Sequence, residues 1–147
     1  MQFTGIRKRG ALGLAFILLT ALATLAKDGR DFAGYYSLTD VTQESSGVKL
    51  TLTVQVFNYS DADIKQASMV LYHSGPGMIV NGSFPPVKLF HNQTDVRLSQ
   101  EFIVSLDDYR RWQNGMVPRL TVHFTGAKGS EQNRSIQLSR RPMLPAR

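Results

Sequence analysis

Between Val48 and Val56 the chain alternates without a break: Val48, Leu50, Leu52, Val54 and Val56 against Lys49, Thr51, Thr53 and Gln55. Side chains on a strand point to opposite faces in turn, so this segment is a strand with one dry face and one wet face. A sheet wet on one side is characteristically antiparallel, since parallel sheets lie covered on both faces. The same alternation returns in Leu120, Val122 and Phe124 against Arg119, Thr121 and His123, and over Asp95–Ser105, where Val96, Leu98, Phe102 and Val104 share a parity that Gln100 interrupts, marking either a bulge or the point where the strand leaves one sheet.

The remaining elements are set by turn chemistry. Tyr35–Val41 reads as a first strand, Thr42–Gly47 as a turn, Asn58–Asp63 as a polar turn and Ala67–Tyr72 as a further strand. Asn81-Gly82, between Met78-Ile79-Val80 and Ser83-Phe84, predicts a two-residue hairpin. Pro85-Pro86 bars a central strand because neither residue has an N–H to give. Ser105 with Asp108 three residues on predicts a capped helix carrying Leu106, Tyr109 and Trp112, stopped by Gly115 and Pro118. Ile136 and Leu138 belong to a last strand. The fold expected is all-β: an antiparallel immunoglobulin-like sandwich of about seven strands with one short helical crossing, over residues 35–140. A small barrel is the alternative.

Upstream, Arg7-Lys8-Arg9 precedes an uncharged, mostly apolar run from Ala11 to Ala26 that ends in small residues. That is the pattern of a signal peptide over 1–26, and it predicts secretion or a periplasmic location. A membrane span takes about 20 apolar residues, so a retained anchor over 10–26 is the alternative, and only then is a membrane a partner. Residues 27–34 are expected to be a flexible lead-in and 141–147 a disordered tail. Cleavage leaves 121 of the 147 residues, enough for one core. With no cysteine, lipid attachment, thiol chemistry and disulfides are excluded, which for an exported domain favours a bacterial envelope. Arg7, Lys8 and Arg9 supply three of the six net positive charges, and the remaining cations are scattered, so nucleic acid is not an expected partner.

The stretch Val54-Gln55-Val56-Phe57-Asn58-Tyr59-Ser60-Asp61 resembles the corner between the second and third strands of bacterial immunoglobulin-like, cell-adhesion-related modules. Leu106-Asp107-Asp108-Tyr109 is similar to the later crossing in such sandwiches. The resemblance implies a non-catalytic interaction or spacer module in an envelope protein. The paired cysteines and intervening tryptophan of antibody-type domains are absent, which removes any implication of antigen-type recognition.

Signals for chemistry are sparse. His73, His91 and His123 lack the spacing of a zinc site, and Asn58, Asp61 and Asp63 lack the glycine and carboxylate count of a calcium loop. Asp107 and Asp108 read as helix-capping carboxylates. No Gly-x-Ser-x-Gly, phosphate loop or dinucleotide fingerprint occurs. No catalytic residue, metal or cofactor is therefore expected. Four of the five asparagines, Asn58, Asn81, Asn92 and Asn133, stand in Asn-x-Ser/Thr triplets; they are glycan acceptors in a eukaryotic secretory pathway and turn formers otherwise. Apolar residues fall outside any strand pattern in 73–92, and Met78, Ile79, Val80, Phe84 and Phe90 form the candidate partner-binding patch, with core closure as the competing role. The function expected is an exported, non-enzymatic module binding an envelope or extracellular protein. The alternatives are a carbohydrate-binding module using Tyr35, Tyr36, Tyr59, Tyr72 and Trp112, and a hydrolase whose site is assembled by the fold.

Overall fold

The computed structural model describes residues 31–126 and 128–140; the expected signal segment 1–26 and tail 141–147 lie outside them. Among the described residues eight strands and one helix follow in order: β1 Phe32–Glu44, β2 Gly47–Asn58, β3 Ile64–Tyr72, β4 Val80–Ser83, β5 Val87–Phe90, β6 Asp95–Val104, α1 Leu106–Gln113, β7 Arg119–Thr125 and β8 Glu131–Arg140. The protein is all-β with one short helical crossing. No helix among the described residues is long and apolar enough to cross a membrane.

The sheet runs β4-β3-β7-β8-β1-β2-β6, with β5 beside β4 on the outer edge of β3. Neighbours are antiparallel except for β1 and β8. Strand β8 pairs antiparallel with β7 from Glu131 to Ile136, then parallel with β1 from Gln137 to Arg140. By changing partners halfway it joins the β6-β2-β1 layer to the β7-β3-β4 layer. The far edges, β4 and β6, also meet. A methyl group on Gly82 would stand 2.9 Å from the Phe102 ring, and Phe84 packs edge-on against Phe102 at 5.3 Å. The mixed sheet is thus nearly closed, which leaves little free edge for unwanted pairing.

The alternating segment is β2. Val48, Leu50, Leu52, Val54 and Val56 are all buried in one core with Met69, Leu71, Leu120, Val122, Ile136 and Leu138. Each such side chain contributes about 1.5–3 kcal/mol on burial. Trp112 of α1 plugs the end of that core, and the Tyr36 hydroxyl donates to the Trp112 carbonyl at 3.2 Å.

Several local expectations are corrected. Strand β1 begins at Phe32, inside the expected lead-in, and continues through Thr42–Glu44, leaving only Ser45-Ser46 as the turn. Strand β6 holds its register with β2 straight through Gln100, so there is no bulge. Asn81-Gly82 is no hairpin: both lie in β4, where Gly82 pairs with Leu71, because pairing onto β3 outweighs a local turn preference.

Candidate functional site

The strands carry their loops to two ends. At the helix end lie the 73–79 loop, α1 and the 114–118 connection; at the opposite end lie the start of β1, the 58–63 and 91–94 loops, and residues 126 and 128–130 between β7 and β8.

The helix end bears the apolar surface. Met78, Ile79 and Val80 are 64%, 59% and 57% exposed. Their loop is closed by the His73 N–H donating to the Ile79 carbonyl at 2.9 Å. Phe84 and Phe90 do not belong to this patch. Phe84 is buried on Phe102, and Phe90 is buried 6.2 Å from Phe32, so both close the core. Met116 and Val117, missed by sequence reasoning, are exposed beside the loop instead, where Arg119 donates to the Gly77 carbonyl. Their signal was an apolar pair stranded between Gly115 and Pro118.

A buried carboxylate fixes this end. The Ser105 hydroxyl caps α1 by accepting the Asp108 N–H at 3.0 Å, as expected. The Asp108 carboxylate does not cap. It is buried, stands 3.0 Å from His73 Nδ1 and accepts the Ser74 N–H at 3.0 Å. A carboxylate only accepts, so Nδ1 carries the proton in this bond. Trp112 Nε1 adds a bond to the Ser74 hydroxyl at 3.2 Å. Together these tie α1 to the base of the apolar loop.

The opposite end repeats the device at the surface. Asp63 stands 3.1 Å from His91 Nδ1 and accepts the Asn92 N–H at 2.9 Å. The Asn92 N–H foremost, then the His91 bond, holds the Asp63 carboxyl below the ordinary aspartate range. His123 bonds the Tyr72 hydroxyl at 3.0 Å. Among the described residues no group of three or more His, Asp or Glu side chains could hold a metal ion.

The four triplet asparagines occupy different settings. Asn58 is fully buried, with its amide donating to the Ala62 and Phe90 carbonyls, so it cannot accept a glycan in the folded protein. Asn81 has its amide nitrogen enclosed; Asn92 and Asn133 are exposed. The five aromatics proposed for sugar stacking are also separated. Tyr36, Tyr72 and Trp112 are buried. Tyr35 and Tyr59 remain on the outer face with Phe57 between them, Phe57 and Tyr59 nearly parallel at 5.8 Å.

No protein-family model and no curated protein matches this chain. Among solved structures it is similar to the GH20 exo-β-N-acetylglucosaminidase from Vibrio harveyi in complex with N-acetylglucosamine, at TM-score 0.42 and 11% identity. It is likewise similar to an inactive mutant of that enzyme, at TM-score 0.43 and 11% identity. In both cases 80% of this chain is covered but only 19% of the other. Likeness at this level carries no argument about function.

Proposed function

We propose that this protein is an exported, non-catalytic β-sandwich module that binds a protein partner at the bacterial cell envelope through its helix end. The observation that carries the reading is the exposed group Met78, Ile79, Val80, Met116 and Val117, which gathers five of the nine exposed large hydrophobics among the described residues at one end of the fold. Exposed apolar groups with a polar rim mark contact sites, because covering them releases water while the rim selects the partner. Here the rim is cationic. Arg110, Arg119 and Arg140 are exposed, and the bonds of Arg119 and Arg140 go to neutral carbonyls, those of Gly77 and Gln113, with no carboxylate partner among the described residues. Charge complementarity therefore calls for a partner with an apolar centre and acidic surroundings. The apolar N-terminal run of the sequence supports export.

Photo-crosslinking in the native cells tests this. With the crosslinker at Met116, a discrete protein adduct is expected, lost on Ile79→Glu and absent when the crosslinker is moved to Lys65 at the opposite end. An adduct indifferent to Ile79→Glu, or one formed with lipid alone, overturns the proposal. So does turnover of any substrate that is abolished by His73→Ala in a variant that still folds.

A further inference from the structure

A cleft of about 490 Å³ opens at the end opposite the helix, and no part of the contact reading uses it. This volume falls within the range of small-molecule sites, about 300–1,000 Å³. Three separate segments build it: the start of β1, residues 60–65, and the β7–β8 hairpin. Phe124 lines it half-buried, backed by the buried Phe32 ring at 6.1 Å. The sandwich core thus presents an aromatic surface to the cleft at the point where its strands end.

The polar lining is mixed in a way that narrows the ligand. The charged lining residues are Asp31, Asp61 and Asp63 against Lys65 and Arg134, beside the Gln132 amide, and Asp63 is already bonded to His91 and Asn92. Carboxylates outnumber cations three to two, so a phosphate is not matched. Paired acceptors and donors around an aromatic floor instead suit a ring with vicinal hydroxyls on its edge and C–H groups on its face. Asp31 and Arg134 stand 3.9 Å apart, beyond direct hydrogen-bond reach, a spacing that one hydroxyl can bridge. A second observation lies at the rim. Tyr59, next in sequence to the lining residue Ser60 and bonded through its N–H to the Asp31 carbonyl, is exposed and continues into Phe57 and Tyr35 along the outer face. Further rings of a chain leaving the cleft meet aromatic side chains there.

We infer that this cleft and its aromatic rim form a binding site for an uncharged oligosaccharide. The test is calorimetric titration of the full chain with cellotetraose, maltotetraose and chitotetraose, with glycylglycine and inorganic phosphate as contrasting ligands. At least one saccharide binds, and Arg134→Ala weakens it about tenfold, the loss of one charge-assisted hydrogen bond. Tyr59→Ala weakens the tetrasaccharide but not the corresponding disaccharide. Ile79→Glu leaves binding unchanged, so this inference and the contact reading fail separately. Both test residues are on the surface, and an unaltered circular dichroism spectrum verifies folding. Absence of binding by all three sugars overturns the inference. So does binding indifferent to Arg134→Ala, or binding of glycylglycine or phosphate in preference to the sugars.

Discussion

Asp108 with His73 and Asp63 with His91 are the same small device in two settings. In each, one carboxylate oxygen faces a histidine Nδ1 and the other accepts the backbone N–H of the next residue, Ser74 or Asn92. Each histidine directly follows a strand, β3 or β5. Their surroundings differ. The Asp108 side chain is 4% exposed, whereas that of Asp63 is 46% exposed. Identical hydrogen bonds therefore carry different weight. Water stands in for a lost partner at Asp63, and nothing does so at Asp108. The helix end is held by a buried carboxylate beneath exposed apolar residues; the cleft end is held by exposed bonds around an opening lined by charges of both signs.

The largest effect belongs to Trp112, which fills the helix end of the core. Trp112→Ala is expected to cost about 3–5 kcal/mol, as for other buried aromatic truncations, measured by urea unfolding followed by circular dichroism. Next comes Asp108→Asn, expected to cost about 1–3 kcal/mol because the amide loses the charge-assisted bonds and can meet both partners only if His73 changes tautomer so that Nδ1 accepts. Trp112 and Asp108 both hold Ser74. Their double variant is therefore expected to depart from additivity by at least about 0.5 kcal/mol, whereas Trp112→Ala combined with Asp63→Asn adds simply. Additivity in both pairs would dissolve the contrast between the ends.

How far the sequence reveals this molecule depends on whether a feature is local. The β2 alternation and the Ser105 cap are written in consecutive residues, and both stand as read. The parallel β1–β8 pairing is not, because a strand's own pattern does not name its neighbour. Asn81-Gly82 reads as a turn on its own and becomes strand only when β3 lies beside it; Gly82 is then suited by the closeness of Phe102. Ser105-x-x-Asp108 reads the same whether the carboxylate serves its own helix or reaches a loop 35 residues earlier. In the expected patch, Met78, Ile79 and Val80 could not be told from Phe84 and Phe90, since apolar residues off the strand pattern can face either way. The cleft, drawn from three distant segments, left no trace in the chain order.

Alkaline titration separates the ends less sharply. Burial pushes the Tyr36 hydroxyl above the ordinary tyrosine value of 10.0, and nearby Arg140 partly offsets this. A raised folded-state value means that the contribution is fully present below the unfolded value and is lost as pH climbs from there through the folded value. Thermal stability is therefore expected to fall above pH 10, and less so in Tyr36→Phe. That variant also loses the bond to the Trp112 carbonyl, so its stability near neutral pH is the baseline for the comparison.

The smallest effect tests the exposed clamp. The Asp63 carboxyl is held below its ordinary value of 3.8, first by the Asn92 N–H and then by His91. A lowered folded-state value means that stability is present above the unfolded value and drains away as pH falls through the folded one. Wild type is thus expected to exceed Asp63→Asn in melting temperature by a small margin near neutral pH. The margin closes as pH drops below 3.8, because protonation then silences the same acceptor in the wild type. It also shrinks in high salt, as solvent-exposed ion pairs do. A margin as large as that of Asp108→Asn, or one unchanged by acid, would mean that the surface clamp is held as tightly as the buried one and that burial is not what distinguishes the two ends.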